Sequence, residues 1–294
     1  MVQTRVSQIP LLTGLRSIAG QYQALLCDVW GVLHNGVEAH AGVVDALRTF
    51  RGQGKTVLLL SNAPRPSGDI RPQLTRLGIP QEAYDDILTS GDATAALLAD
   101  APHGRACYHI GPERDLPLFE GLSLERVEPN RAEFVVCSGL FNDDNETPED
   151  YRERLAALAE RKLPMICANP DIVVERGAHK IYCAGALAAL YGDLGGEVTY
   201  LGKPHAPIYD RARASLARLR GQDIADAEIL AIGDGAPTDI AGANGQGIDA
   251  LFITGGIAWP ACGPAPDQPD ADQVRAFCET SGVRPLAAMA RLVW

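Results

Sequence analysis

Eight short apolar runs recur along this chain with amphipathic segments between them, and that alternation limits the fold more than any other feature. The runs are ALLCDV (24–29), KTVLLLS (55–61), ACYHIG (106–111), EFVVCSG (133–139), LPMICAN (163–169), EVTYLG (197–202), EILAIGD (228–234) and ALFITGG (250–256). Segments such as AGVVDALRTFRGQG, YRERLAALAERK and APIYDRARASLARLR separate them with helical spacing of apolar residues. Strand and helix repeated in this order predict an α/β chain, a doubly wound, mostly parallel sheet with helices on both faces. There is no internal repeat. A Pro/Asp-rich patch, CGPAPDQPDADQ, reads as a surface loop.

The 294 residues suffice for one large domain or two smaller ones. A net charge of −11, from 37 acids against 26 bases, argues against nucleic acid or an anionic membrane as partner, because no bulk field draws in a polyanion. A single phosphate needs only a local cluster of donors, so a small phosphorylated substrate stays open. Lysine is scarce, with only Lys55, Lys162, Lys180 and Lys203, which gives a loop lysine added weight. Seven cysteines without a C-x-x-C pattern, several of them inside apolar runs, suit buried thiols better than a disulfide frame. CYH (107–109) reads as structural, since nothing completes a metal site around it. With no basic start before a long apolar run, and no stretch of about 18 apolar residues, the expected compartment is cytoplasmic.

Open α/β sheets place their sites beyond the carboxyl ends of strands. There the first run delivers Asp28 and then Trp30; the second ends in SNAPRP, the sixth in GKPH, and the seventh in GDGAPTD. Runs between 106 and 169 end in GPERD, GLFNDD and NPD, which read as variable loops. The four chemically rich ends fit phosphoryl transfer through a covalent aspartyl intermediate. A carboxylate attacks phosphorus, and a divalent ion separates the two anions. Asp28 and Asp234 offer hard oxygens to Mg²⁺, with Asp239 reaching it through water. Ser61, Asn62 and Lys203 offer hydroxyl, amide or backbone N–H, and ammonium contacts to phosphoryl oxygens. Each piece also has a structural reading: SNAP is a good turn, Asp234 can simply end a strand, and Thr238 or Asp239 can cap the next helix. Their conjunction in this order favours the catalytic one. No G-x-x-x-x-G-K-[ST], no G-x-S-x-G and no EF-hand loop competes with it.

These motifs resemble the haloacid dehalogenase superfamily, and specifically the subclass (class IIA) with a large α/β cap between its second and third motifs. That subclass includes the phosphatases of N-acetylglucosamine operons and the para-nitrophenyl phosphatases. DVWGVL resembles the first motif, LLLSN the second, LGKP the third and GDGAPTD the fourth; ANPD (168–171) and AGALAALY (184–191) resemble cap segments. The resemblance implies a Rossmann-like core at 1–90 and 199–294 with a cap at 91–198. It also implies cap residues Asn169, Pro170 and Asp171 facing substrate, and a metal set of Asp28, the Trp30 carbonyl, Asp234 and Asp239.

One position departs from the family. Two residues after the nucleophile, its phosphatases carry a second aspartate that protonates the leaving oxygen and then activates water. Here that residue is Trp30, which does neither. The expected function is therefore a Mg²⁺-dependent phosphomonoester hydrolase acting on a small sugar-phosphate- or nucleotide-class metabolite, slowed by Trp30, with the proton supplied by the substrate, by water, or by a nearby histidine such as His34 or His205. The alternatives are a phosphotransferase and a non-catalytic phospho-ligand sensor. Homodimerisation is left open.

Overall fold

The computed structural model describes residues 9–176 and 179–294. Residues 1–8 of the expected core and 177–178 of the expected cap lie outside the described residues. The chain forms two compact units: Met1–Leu59 with Ile79–Asp85 and Leu216–Trp294, and Leu60–Gly78 with Asp86–Ser215. All of residues 91–198 fall in the second unit, which also takes 60–78, 86–90 and 199–215.

In the first unit five parallel strands lie in the order Ala287–Met289, Asp249–Ile253, Ile229–Gly233, Ala24–Cys27 and Thr56–Ser61, the last crossing into the second unit after Leu59. The central strands Ala24–Cys27 and Ile229–Gly233 are buried along their whole length. Their runs are therefore continuously apolar rather than alternating, as expected for a parallel sheet covered on both faces. Helix Val43–Arg51 buries Val43, Ala46, Leu47 and Phe50, an apolar stripe at i, i+3, i+4 and i+7. The Pro/Asp-rich patch is not all loop. Asp270 accepts from the backbone N–H groups of Asp272 (3.0 Å) and Gln273 (2.9 Å) and so starts helix Ala271–Ser281.

The second unit has its own parallel sheet, ordered Val198–Tyr200, Met165–Cys167, Phe134–Cys137, Ala106–Ile110 and Glu125–Arg126. Helices Arg152–Glu160 and Ala184–Asp193 supply Leu155, Leu158, Leu187 and Tyr191 to a core shared with Val135, Cys137 and Met165. Tyr191 Oη closes that core by donating to the Leu163 carbonyl at 2.6 Å. All eight apolar runs are strands. Four elements were not read from the sequence: Asp86–Thr89, Glu125–Arg126, Ala287–Met289, and the antiparallel hairpin of Val173–Arg176 with His179–Tyr182. The hairpin is only partly buried and Glu125–Arg126 is exposed, so neither needs an apolar run. Among the described residues, no helix is long and apolar enough to cross a membrane.

Candidate active site

Register builds the carboxylate cluster of the first unit. Cys27 pairs with Ile232, so Asp28 and Asp234 leave neighbouring parallel strands at one edge, and Asp28 N donates to Ile232 O at 2.8 Å. Asp239 follows in a π-helical turn, Ala236–Ile240, where its Oδ2 accepts from Gly235 N at 3.0 Å. The three carboxylates are 7%, 6% and 6% exposed, and each offers an oxygen within 4.8 Å of the others. Asp239 thus joins Asp28 and Asp234 in one buried carboxylate cluster.

Three carboxylates this close could hold a cation. Two ionised carboxylates 4.8 Å apart would repel by about 3.5 kcal/mol at an effective dielectric near 20, a cost that a bound cation offsets. Buried hard oxygens are the donor set a magnesium or calcium ion prefers, so the cluster fits a divalent metal. Among the described residues, this is the one group of acidic, histidine or cysteine side chains arranged to hold an ion.

The walls around Asp234 were invisible to motif reading. Its Oδ2 accepts from Ile257 N at 2.7 Å. A Cβ at Gly31 would fall 2.1 Å from that oxygen, and one at Gly256 would fall 2.0 Å from it. Gly31 also sits at φ +87°, a conformation glycine adopts without penalty. The signal available was the Gly-Gly pair closing ALFITGG, directly after a strand.

Trp30 is half-buried and meets His34 edge-to-face, with ring centroids 5.1 Å apart. His34 is fully enclosed, and its Nδ1 accepts from Gly36 N at 3.0 Å. Burial, with neighbouring His40, pushes its pKa down to about 4. Burial and Arg291 likewise take His40 to about 4, and His40 Nε2 lies 3.2 Å from Arg291 Nη1. His34 is therefore neutral at pH 7 and poorly suited to deliver a proton. His205, in the second unit, stacks on Tyr200 at 4.8 Å, and burial lowers its pKa as well.

The second unit gathers the other candidates. Ser61, Asn62, Lys203 and Asn169 are buried, and Asp171 is half-buried. The Asn62 side chain is fully engaged internally. Its Oδ1 accepts from Lys203 N (2.8 Å), while its Nδ2 donates to Lys203 O (3.1 Å) and Asp171 Oδ1 (2.8 Å). Asp171 N in turn donates to Asn169 Oδ1 at 3.0 Å, and Lys203 Nζ donates to Leu60 O at 2.8 Å. Ser61 Oγ accepts from Ala63 N at 3.2 Å. Asn62 thus clamps the end of one strand to the lysine loop and to the NPD segment. Close packing there needs Gly202, whose Cβ would come 2.4 Å from Asn62 Oδ1.

A Rossmann-like sheet carrying buried aspartates beyond adjacent strand ends resembles the arrangement of haloacid dehalogenase-like hydrolases, and comparison with known proteins gives the class. A family model described as haloacid dehalogenase-like hydrolase matches residues 25–125, and a second, HAD-hydrolase-like model matches 200–278. A 5'-nucleotidase of Bacillus subtilis is 28% identical over 80% of this chain and 88% of its own length. The D-glycerol 3-phosphate phosphatase of Mycobacterium tuberculosis is 30% identical over 84% of this chain and 67% of its own. The crystal structure of a haloacid dehalogenase-like hydrolase from Brucella suis 1330 superposes with a TM-score of 0.86 at 45% identity, covering 96% of this chain and 100% of that one. The chain belongs to the haloacid dehalogenase-like hydrolase family, in its class IIA type.

Proposed function

We propose that this chain is a Mg²⁺-dependent phosphatase acting on a small phosphomonoester, with Asp28 as nucleophile. The observation that carries the reading is the buried trio Asp28, Asp234 and Asp239, with oxygens within 4.8 Å. The curated relatives named above, a 5'-nucleotidase and a glycerol-phosphate phosphatase, support the substrate class. Residues 1–90 and 199–294 are assigned as the catalytic core and 91–198 as the cap.

Asp28, Asp234, Asp239 and the Trp30 carbonyl would hold the metal, which neutralises the approaching phosphoryl charge. A carboxylate oxygen of Asp28 attacks phosphorus, the bond to the leaving oxygen breaks, and an aspartyl phosphate forms. Ser61, the Asn62 backbone N–H and Lys203 bind the phosphoryl oxygens and stabilise their charge. The Asn62 amide acts by positioning Lys203 and Asp171. Water then cleaves the acyl phosphate and restores the carboxylate. Trp30 carries no acidic proton for the leaving oxygen and no basic atom for that water. Since such a group contributes roughly 10²–10⁴ in rate, turnover is slow on poor leaving groups and the phosphoenzyme is long-lived.

The test is a panel of sugar phosphates, nucleoside monophosphates and para-nitrophenyl phosphate, assayed with Mg²⁺ and with chelator, on wild type and Asp28→Asn. Mg²⁺-dependent phosphate release that Asp28→Asn abolishes is the expected result. Substrate binding with no Asp28-dependent release on any member would favour the sensor reading.

A further inference from the structure

The first unit carries a second polar concavity, far from its carboxylates. A wide-mouthed surface cavity of about 770 Å³, largely open to solvent, is lined by Arg48, Arg51, Lys55 and Arg220 against Glu82 and Asp85. Its wall includes Thr56, the first residue of strand Thr56–Ser61, which pairs with Ala24, the first residue of the strand leading to Asp28. The cavity thus opens at the amino ends of the strands, about 13 Å along the sheet from the carboxylates at ~3.3 Å per residue.

Its charge balance runs against the rest of the chain, which is net −11. Asp85 is committed twice: Oδ1 pairs with Arg51 Nη2 at 2.5 Å, and Oδ2 accepts from Val57 N at 2.7 Å. Glu82 lies 3.7 Å from Arg48. Lys55 and Arg220 are left with neutral acceptors. Lys55 donates to Ala19 O and sits 5.0 Å from the Phe50 ring centroid, while Arg220 donates to Gly54 O at 2.7 Å. Among the described residues neither belongs to an ion pair. Helices Val43–Arg51 and Ala206–Arg220 end at this cavity, and each carboxyl end contributes about half a negative charge. About one positive charge therefore remains, with spare N–H donors on an ammonium and a guanidinium fork. Arg51 Nε is also buried without an acceptor among the described residues, so the basic cluster is short of oxygen acceptors.

We propose that this cavity binds a small phosphate-bearing metabolite, at a site separate from the carboxylate centre. A phosphate group brings several acceptor oxygens to Lys55, Arg48 and Arg220, with the geometry guanidinium and ammonium donors favour. The volume exceeds that of a bare ion and accommodates an organic portion. The inference does not depend on phosphatase activity.

Calorimetric titration of the full chain with pyrophosphate, in chelator to disable the metal centre, tests it. One site per chain is expected, weakened by added salt, unchanged in Asp28→Asn, and weakened roughly fivefold by Arg220→Gln and about tenfold or more by Arg48→Gln/Arg220→Gln. Arg48 lies on a half-exposed helix face, so Arg48→Gln alone serves should the double variant fold poorly. No binding at millimolar pyrophosphate overturns the proposal. So does binding that the arginine variants leave intact, or that Asp28→Asn removes.

Discussion

Replacing Asn62 with alanine is expected to loosen the second unit and disable the site together, because one buried amide joins three segments. The substitution deletes the bonds from Lys203 N, to Lys203 O and to Asp171. Each of the first two contributes about 1 kcal/mol net, and the bond to a carboxylate about 2. Lys203 is 3% exposed, so its N–H is left in a place where water compensates little. The expected destabilisation is about 4 kcal/mol, at the upper end of what single substitutions produce. Asp171→Ala alone removes one of the three bonds and is expected to cost about 2 kcal/mol. A urea-unfolding cycle of wild type, both single variants and the double variant isolates the Asn62–Asp171 pair, with an expected coupling of about 1.5–2 kcal/mol. Activity of Asn62→Ala should fall at least ~10²-fold, since displacement of a positioning loop by about 1 Å has that effect. An Asn62→Ala cost below about 1 kcal/mol, or singles that add within ~0.5 kcal/mol, would refute the clamp.

Trp30 sets the leaving-group dependence: aryl phosphates should react far faster than alkyl ones, with a burst of one product per site. Trp30→Asp should raise alkyl-phosphate turnover by ~10²-fold or more, and equal wild-type rates on both classes would mean another group transfers the proton. Gly256→Ala places a methyl 2.0 Å from Asp234 Oδ2 and breaks its bond from Ile257 N. Mn²⁺ or Tb³⁺ affinity, read by titration without substrate, should then drop about tenfold or more; unchanged affinity would show that the wall does not hold the carboxylate. His34 titrates at about 4 in the folded protein against 6.5 unfolded. Between those values the unfolded chain binds the extra proton, so stability held above pH 6.5 is lost as pH falls toward 4, by roughly 3 kcal/mol. His34→Asn, which keeps an acceptor for Gly36 N, should flatten that part of the urea-unfolding profile; an unchanged slope would assign it to His40 and other groups.

The sequence by itself determined the α/β class and the position of eight strands, because strands buried on both faces must be apolar along their length and their runs stand out. It also determined which chemical groups lie at strand ends: Asp28, the GDGAPTD pair Asp234 and Asp239, Ser61, Asn62 and Lys203. It missed the hairpin at 173–182 and the strand Glu125–Arg126, whose pairing rests on backbone hydrogen bonds at partly exposed positions. It likewise read the start of helix Ala271–Ser281 as loop, since the Asp270 cap is polar and resembles any turn. Tertiary structure decided what those strand-end groups do to each other. Only register brings Asp28 beside Asp234, only the π-turn brings the Asp239 carboxylate to within 4.8 Å of them, and only folding joins Asn62 to Lys203 across 141 positions. Gly31 and Gly256 matter because of a carboxylate more than twenty residues away in one case and two hundred in the other. Such spacings have no local signature, because they arise from close packing rather than from the chain's own periodicity.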